Sequence, residues 1–249
     1  MTAPNTRACL VCGNNNVKIL RRVEEVAGEK RIQCARCGAI YFTRTPEDKA
    51  SYDYAYNAHF FRPGDISKAG IMATKLGDFC QKTLHNPRVL EAGAGNGLTI
   101  FLLHQQGIDT EGVDLNQTWC SHLSYTFSIS VHSARFEKFT PLHDYDLVYS
   151  SHTIEHVESP YAFMRKAYEI LVPGGYFWLD TPDTYFWEKC PQRWHHFETR
   201  HPFEHLCLLS LGSIEHLAKS TGFRILDWER QHEYNSLRVL MRKPEAKKE

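Results

Sequence analysis

The 249-residue chain has no excess of either charge: Lys and Arg total 29, and Asp and Glu total 29. That balance argues against broad electrostatic binding to nucleic acid or to an anionic membrane surface. No run of about 18 apolar residues occurs, so a membrane-spanning helix is not expected. Residues 1–7 lack the apolar core of a secretory signal. A cytoplasmic location follows as an expectation, and with it reduced thiols or metal ligands rather than disulfides. There is no internal repeat and no low-complexity segment. Apolar residues make up 42% and charged residues 23%, which suits an ordinary globular chain with room for one sizeable domain and a small extra module.

What the chain does have is cysteine in a pattern. Of eight cysteines, four form two C-x-x-C-G units, Cys9-x-x-Cys12-Gly13 and Cys34-x-x-Cys37-Gly38, with 21 residues between them. Two thiolates at i and i+3 grip one face of a metal ion. The following glycine lets the turn fold so that N–H groups face the sulfurs. Two such knuckles complete a closed tetrahedral site suited to Zn²⁺, with iron as the competitor. A closed site predicts a structural ion, which supplies folding energy that some 40 residues can hardly find in a core of their own. Residues 1–45 carry eight Lys or Arg against three Glu, and we read this mild surplus as a solvated face.

The spacing predicts four segments: a zinc ribbon over 1–45, a helical aromatic connector over 46–87, a main domain over 88–243 and a frayed tail over 244–249. The connector holds Tyr52, Tyr54, Tyr56, Phe60 and Phe61. Thr45-Pro46-Glu47-Asp48 reads as a helix start, and a second helix is expected over 66–84. From residue 88 strands alternate with helices, which argues for a parallel sheet. Strands are expected at 88–92, 110–114, 130–133, 146–150 and 176–179, and helices at 97–106, 117–127, 160–171 and 210–220. Strands at 223–230 and 237–242 would form a closing antiparallel pair. Residues 181–206, rich in Trp, His and Phe, read as a lid over a substrate.

The first strand of this domain enters a turn with glycines at alternate positions, Gly93, Gly95 and Gly97. Glycine lets the backbone turn sharply and approach a ligand closely. In a dinucleotide-binding turn the third glycine would stand where Leu98 is found. Glu91 at the strand end would also oppose a pyrophosphate, whereas it suits a ligand with an ammonium group. Asp114 closes the next strand, where a carboxylate can accept both ribose hydroxyls.

The stretch from Leu90 through Glu91, Ala92, Gly93, Ala94, Gly95, Asn96 and Gly97 resembles motif I of class I S-adenosylmethionine (SAM)-dependent methyltransferases. Gly112-Val113-Asp114-Leu115 resembles the second motif. Tyr145 through Ser150, Ser151 and His152 to Val157 resembles the fourth strand and its loop, and Pro173-Gly174-Gly175 the turn before strand five. The resemblance implies an α/β fold: a doubly wound, Rossmann-like and mostly parallel sheet with an antiparallel closing strand, preceded by the small zinc ribbon. It implies SAM as cofactor, with Glu91, Gly93, Ala94, Gly95, Asn96, Gly97, Asp114, Leu115, Ser150 and Ser151 around it. An acid common after strand three of that family is missing here before Glu137. Phe136 would pack on the adenine instead, or backbone groups would read it.

Six of the 14 histidines lie between His152 and His205. Methyl transfer needs a positioned nucleophile and, for some acceptors, a base, a task that suits histidine. His152 is the first candidate because it follows strand four directly; His196, His201 and His205 come next. His152-x-x-Glu155-His156 also resembles the acid/His turn with which ubiquinone-pathway and small-RNA O-methyltransferases bind Mg²⁺, so metal assistance is a second expectation. A zinc ribbon ahead of such a domain resembles methyltransferases of sugars and secondary metabolites. The leading expectation is O- or C-methylation of a small-molecule acceptor: a sugar, a polysaccharide precursor or a secondary metabolite. RNA methylation with the ribbon as docking module, a non-catalytic assembly module and a nicotinamide dehydrogenase are the alternatives.

Overall fold

A computed structural model describes residues 8–19, 31–42, 63–189 and 205–246. Residues 46–62 of the connector with its helix start at Thr45-Pro46, residues 190–204 of the expected lid with the candidates His196 and His201, and the last three residues of the tail lie outside these. The chain divides into two compact units. One comprises Met1–Asp48, His152–Arg165 and Leu179–Met241, and the other Lys49–Ser151, Lys166–Trp178 and Arg242–Glu249.

The second unit carries the glycine turn. Helix α1 (Pro63–Thr83) starts on a proline, whose missing N–H costs nothing at a helix N-terminus. It turns Ala69, Met72, Ala73, Leu76 and Cys80 inward, a stripe at helical spacing. That stripe packs with Val89, Leu103, Leu147 and Tyr149, and Phe79 meets the rings of Tyr176 and Trp178 edge-on at 5.1 and 5.6 Å. Each such aliphatic or aromatic side chain, once buried, contributes about 1.5–3 kcal/mol. Strands β4 (Arg88–Ala92), β5 (Asp109–Asp114), β6 (Val131–Ser133) and β7 (Tyr145–Ser151) pair in parallel, β4 with both β5 and β7, and β5 with β6. Between them run α2 (Leu98–His104) and α3 (Gln117–Phe127). Asn116 caps α3 by accepting a hydrogen bond from the Trp119 N–H, as an N-cap asparagine should.

After α4 (Pro160–Ile170) comes β8, a single strand over Leu171–Pro182. It is longer than the expected 176–179. The Gly174 N–H donates to the Lys243 carbonyl and the Lys243 N–H to the Gly175 carbonyl, so the proline-glycine stretch is absorbed into the sheet. Pro173 is exposed there and has no N–H to satisfy. The full sheet order is β10-β11-β8-β7-β4-β5-β6. Strands β10 (Arg224–Gln231) and β11 (Ser236–Arg242) are joined by a tight turn, which makes that pair antiparallel. The result is a mixed, mostly parallel, Rossmann-like sheet.

In the first unit a four-stranded sheet has the order β1-β2-β3-β9. Its strands are β1 (Val17–Ile19), β2 (Arg31–Cys34), β3 (Ile40–Phe42) and β9 (Cys207–Leu208), all antiparallel to their neighbours. The fourth strand thus comes from far along the chain. Phe186, in α5 (Thr184–Lys189), packs with Ile40 and Leu208. Helix α6 (Leu211–Thr221) opens on a capping box of Ser210 and Ser213 and closes on Gly222 at φ 98°. Both serine hydroxyls also donate to the Cys37 carbonyl, at 2.6 and 2.9 Å.

Candidate functional site

At the end of β4 the chain makes its glycine turn. Gly93, Gly95 and Gly97 have φ of 81°, 51° and 67°, in the left-handed region where a side chain is disfavoured. At Gly97 an added Cβ would also stand 2.7 Å from the Leu123 methyls. The Gly93 and Ala94 N–H groups donate to the Val113 carbonyl, and the Asn96 side chain accepts from the Leu98 N–H. Asp114 ties the turn to the end of β5: its carboxylate accepts from the Gly95 and Asn116 N–H groups, each at 2.9 Å. Burial raises its carboxyl above the usual carboxylate range, and those backbone N–H groups oppose the rise. A carboxylate has about four lone-pair sites, so acceptor capacity remains for ribose hydroxyls.

Glu91 is buried at the root of the same turn, and its Oε2 has no hydrogen-bond partner. Burial, then the charge of Asp114, push its carboxyl well up. A buried carboxyl with an orphaned oxygen beside a bare glycine turn is a poor place for a phosphate and a good one for a cation. An α-ammonium fits that requirement, and SAM carries one. Phe136 is buried in the short turn Phe136–Lys138, and the Ala134 N–H donates to the Asp114 carbonyl, which brings this segment to the end of β5. Leu115 is exposed. Ser150 is fully buried, and its hydroxyl is committed to the Ala92 carbonyl at 2.9 Å, so it braces β4. Ser151, half-buried, ends β7.

The first unit gathers the histidines. His152 has φ 50° and its N–H donates to the Asp180 carbonyl. For a histidine the left-handed backbone is a strained choice, of the kind that collects at functional sites. Its Nδ1 lies 3.4 Å from Glu155 Oε1, and His156 Nε2 lies 3.9 Å from the same oxygen. Glu155 is fully buried, and its Oε2 accepts from the Thr181 hydroxyl at 3.2 Å. Burial alone would raise its carboxyl. The hydrogen bond from His152 and the positive charges of His156, His152 and His205 outweigh burial and hold it down at about 2. The ring of His205 stands 4.9 Å from that of His156, and the Leu206 N–H donates to the Glu155 carbonyl. Two of the four histidine candidates, His152 and His205, therefore meet around one carboxylate. Glu155, expected only as part of an acid/His metal turn, and Thr181, which was no candidate, complete the cluster. The histidines at i−3 and i+1 had singled out Glu155; for Thr181 the sequence holds no signal.

The four ribbon cysteines come together as the spacing requires. Their sulfurs lie within 4.8 Å of one another, with Cys9 to Cys37 at 3.6 Å and Cys12 to Cys34 at 3.5 Å. Four thiolates on one Zn²⁺ at about 2.3 Å would stand about 3.8 Å apart, so the donors fit such an ion. Gly13 and Gly38 have φ of 66° and 77°, and their N–H groups donate to the carbonyls of Cys9 and Cys34, one turn in each knuckle. The hydrogen bond from Cys37 lowers the Cys9 thiol to about 5, while that same bond and burial push Cys37 far up. Among the described residues no helix is long and apolar enough to cross a membrane.

A family model described as "Methyltransferase domain" matches residues 66–227, more than half of the chain. No curated protein matches the chain. Several solved structures resemble it. The 1,6-didemethyltoxoflavin-N1-methyltransferase of Burkholderia thailandensis, solved with 1,6-didemethyltoxoflavin and S-adenosylhomocysteine, aligns over 92% of this chain and 100% of its own, with TM-score 0.59 and 12% identity. An S-adenosylmethionine-dependent methyltransferase of Mesorhizobium loti aligns over 67% and 96%, with TM-score 0.55 and 18% identity. The CcbJ methyltransferase of Streptomyces caelestis aligns over 70% and 90%, with TM-score 0.55 and 14% identity. At these identities the likeness is one of fold. Together with the glycine turn, the buried Glu91 carboxyl with its orphaned Oε2 and the match over 66–227, it places the chain in the class I SAM-dependent methyltransferase family.

Proposed function

We propose that the chain methylates a small-molecule acceptor on oxygen or carbon: a sugar, a polysaccharide precursor or a secondary metabolite. The observation that carries the reading is His152, held in a left-handed conformation directly after β7 and braced by the buried Glu155. A base fixed in this way suits an acceptor that must lose a proton. The even balance of charge favours a small acceptor over RNA, and one solved neighbour is named a 1,6-didemethyltoxoflavin-N1-methyltransferase.

In this reading Glu91 takes the cofactor's ammonium and Asp114 its ribose. Gly93, Ala94, Gly95, Asn96 and Gly97 form the floor under it, Ser150 and Ser151 flank it, and Leu115 and Phe136 serve the adenine. SAM supplies an electrophilic methyl sulfonium. The chain's own residues orient the acceptor and take its proton, with His152 as base and His196, His201 and His205 in support. Residues 181–206 cover the acceptor. Cys9, Cys12, Cys34 and Cys37 hold one structural Zn²⁺ in a ribbon over 1–45. The test is transfer of radiolabelled methyl from SAM to panels of hydroxylated metabolites, nucleotide sugars and total RNA. Label in the small-molecule fraction is expected; label in RNA alone would overturn the reading.

A further inference from the structure

Just past the end of β8 one arginine is held more firmly than a surface residue needs. Asp183 is fully buried, and its two carboxylate oxygens have separate tasks. Oδ1 accepts from the Tyr185 N–H at 2.9 Å, and Oδ2 accepts from Arg230 Nε at 2.7 Å. The Asp183 N–H donates to the Asn235 carbonyl, which fixes the acid against the hairpin that carries Arg230. Two rings flank the guanidinium, with Cζ 4.4 Å from the centroid of Tyr185 and 5.2 Å from that of Trp228. Among the described residues, Nη1 and Nη2 of Arg230 make no hydrogen bond, and the side chain is 28% exposed. Arg238 on β11 is the contrast: it is buried, and its Nη1 and Nη2 are spent on Glu229 and Asp180. A guanidinium that only joins strands is used up in that way; Arg230 is oriented and left with its fork open.

We propose that Arg230 is an oxoanion subsite for the methyl acceptor, with its two η nitrogens receiving a phosphate or carboxylate group of that molecule. The planar fork of a guanidinium matches two oxygens of such a group at once. Asp183 and the two rings settle the side chain before the ligand arrives, so little of its freedom is left to lose on binding. Asp183 also offsets part of the charge, so the subsite works through hydrogen-bond geometry more than through long-range attraction. Its place suits the reaction. Asp180, three residues back along β8, accepts from the N–H of His152, and at about 3.3 Å per residue that is a separation of about 10 Å. A ligand with its anionic group on Arg230 and its reacting hydroxyl at His152 is therefore the size of a sugar phosphate or a larger metabolite. The inference rests on the small-molecule reading of the acceptor and narrows it: nucleotide sugars and acidic metabolites are selected over neutral ones.

The test titrates phenyl phosphate, benzoate and uncharged benzyl alcohol by calorimetry into the full chain loaded with S-adenosylhomocysteine. Saturable binding of at least one anion is expected, with benzyl alcohol roughly 10-fold weaker or more; the tighter anion tells phosphate from carboxylate. Arg230→Gln should weaken that anion roughly 10- to 100-fold. Arg230→Lys should regain only part of the loss, because an ammonium lacks the fork. Arg230→Gln alone leaves the buried Asp183 without its partner, so the double variant Arg230→Gln with Asp183→Asn removes both charges together; it should show the same loss, with its fold checked by near-ultraviolet circular dichroism. Failure of both anions to bind the wild-type chain would overturn the proposal. So would benzyl alcohol binding as tightly as the anions, or an anion affinity unchanged in the folded double variant. Methyl transfer is not read in these titrations, so label found in RNA alone would overturn the small-molecule reading while the anion affinities still decide this one.

Discussion

Glu91 is a buried acid whose natural partner is a ligand. In the free protein, burial and the charge of Asp114 raise its pKa; a bound ammonium would lower it again. Binding should therefore release a proton at any pH between the bound-state and free-state values. Affinity for SAM should rise with pH through that window and level off above the free-state pKa. Calorimetry in two buffers of different ionisation enthalpy reads the released proton directly, and proton uptake would count against an ammonium at Glu91. Asp114 accepts two backbone N–H groups, so Asp114→Ala would disturb the turn as well as the ribose contact. Asp114→Asn keeps the size and removes the charge. We expect it to weaken SAM binding by about 1–3 kcal/mol, and an unchanged dissociation constant would place the ribose elsewhere. For His152, asparagine tolerates the left-handed backbone. His152→Asn should lower kcat roughly 100- to 10,000-fold with SAM affinity intact, and a full-rate variant would remove His152 as base. Glu91 and Asp114 were legible in the sequence because a glycine turn and a strand end place them by local rules. The burial of Glu155 among three imidazoles was not, because it depends on Thr181 and His205, which are distant in sequence.

At the scale of elements, what could be read locally was read well. Helix α3 runs over the expected 117–127 because Asn116 caps it and Ser128 leaves it at φ 56°. Strands β4 and β5 and helix α6 fall within a residue or so of expectation for similar reasons. The misreading at Pro173-Gly174-Gly175 is informative: those residues usually punctuate, but here Lys243, 68 or more positions on, pairs with them and also donates its Nζ to the Leu171 carbonyl. Strand β9 escaped notice altogether, since two residues carry no periodicity and its partner β3 lies far back in the chain. The capping box of α6 shows how one local signal can serve two ends. Ser210 and Ser213 satisfy the helix start and hold the Cys37 carbonyl of the second knuckle. Replacing both with alanine should lower stability by about 1–3 kcal/mol, from the lost cap and the lost hydrogen bonds. Urea unfolding measures it, and a midpoint unchanged within error would show that neither contact matters.

The chain divides into two compact units, and the four knuckle cysteines belong to one of them, so the two should respond differently to loss of the proposed ion. One unit keeps its apolar core of Met72, Leu76, Val89, Leu103 and Leu147, which involves no cysteine knuckle. The other builds its small sheet around Ile32, Ile40, Tyr41 and Leu208, with two of its turns made by Cys9–Gly13 and Cys34–Gly38. Four buried or half-buried sulfurs left without an ion would repel as thiolates or need protons, and either way the knuckles lose the bond energy that closes them. Stripping the ion proposed for the cysteines with a strong chelator should therefore open this sheet first. Hydrogen exchange at Ile32, Tyr41 and Leu208 should speed up, and the cysteines should become open to alkylation. The amides of Val89, Leu90 and Val113 should keep their protection, as expected where a structure opens in separate cooperative parts. Uniform loss of protection across both sets would mean that the ion stabilises the molecule as a single cooperative whole. No change in either set would mean that the cysteine cluster folds without metal, and its thiols would then have to be satisfied by hydrogen bonds alone.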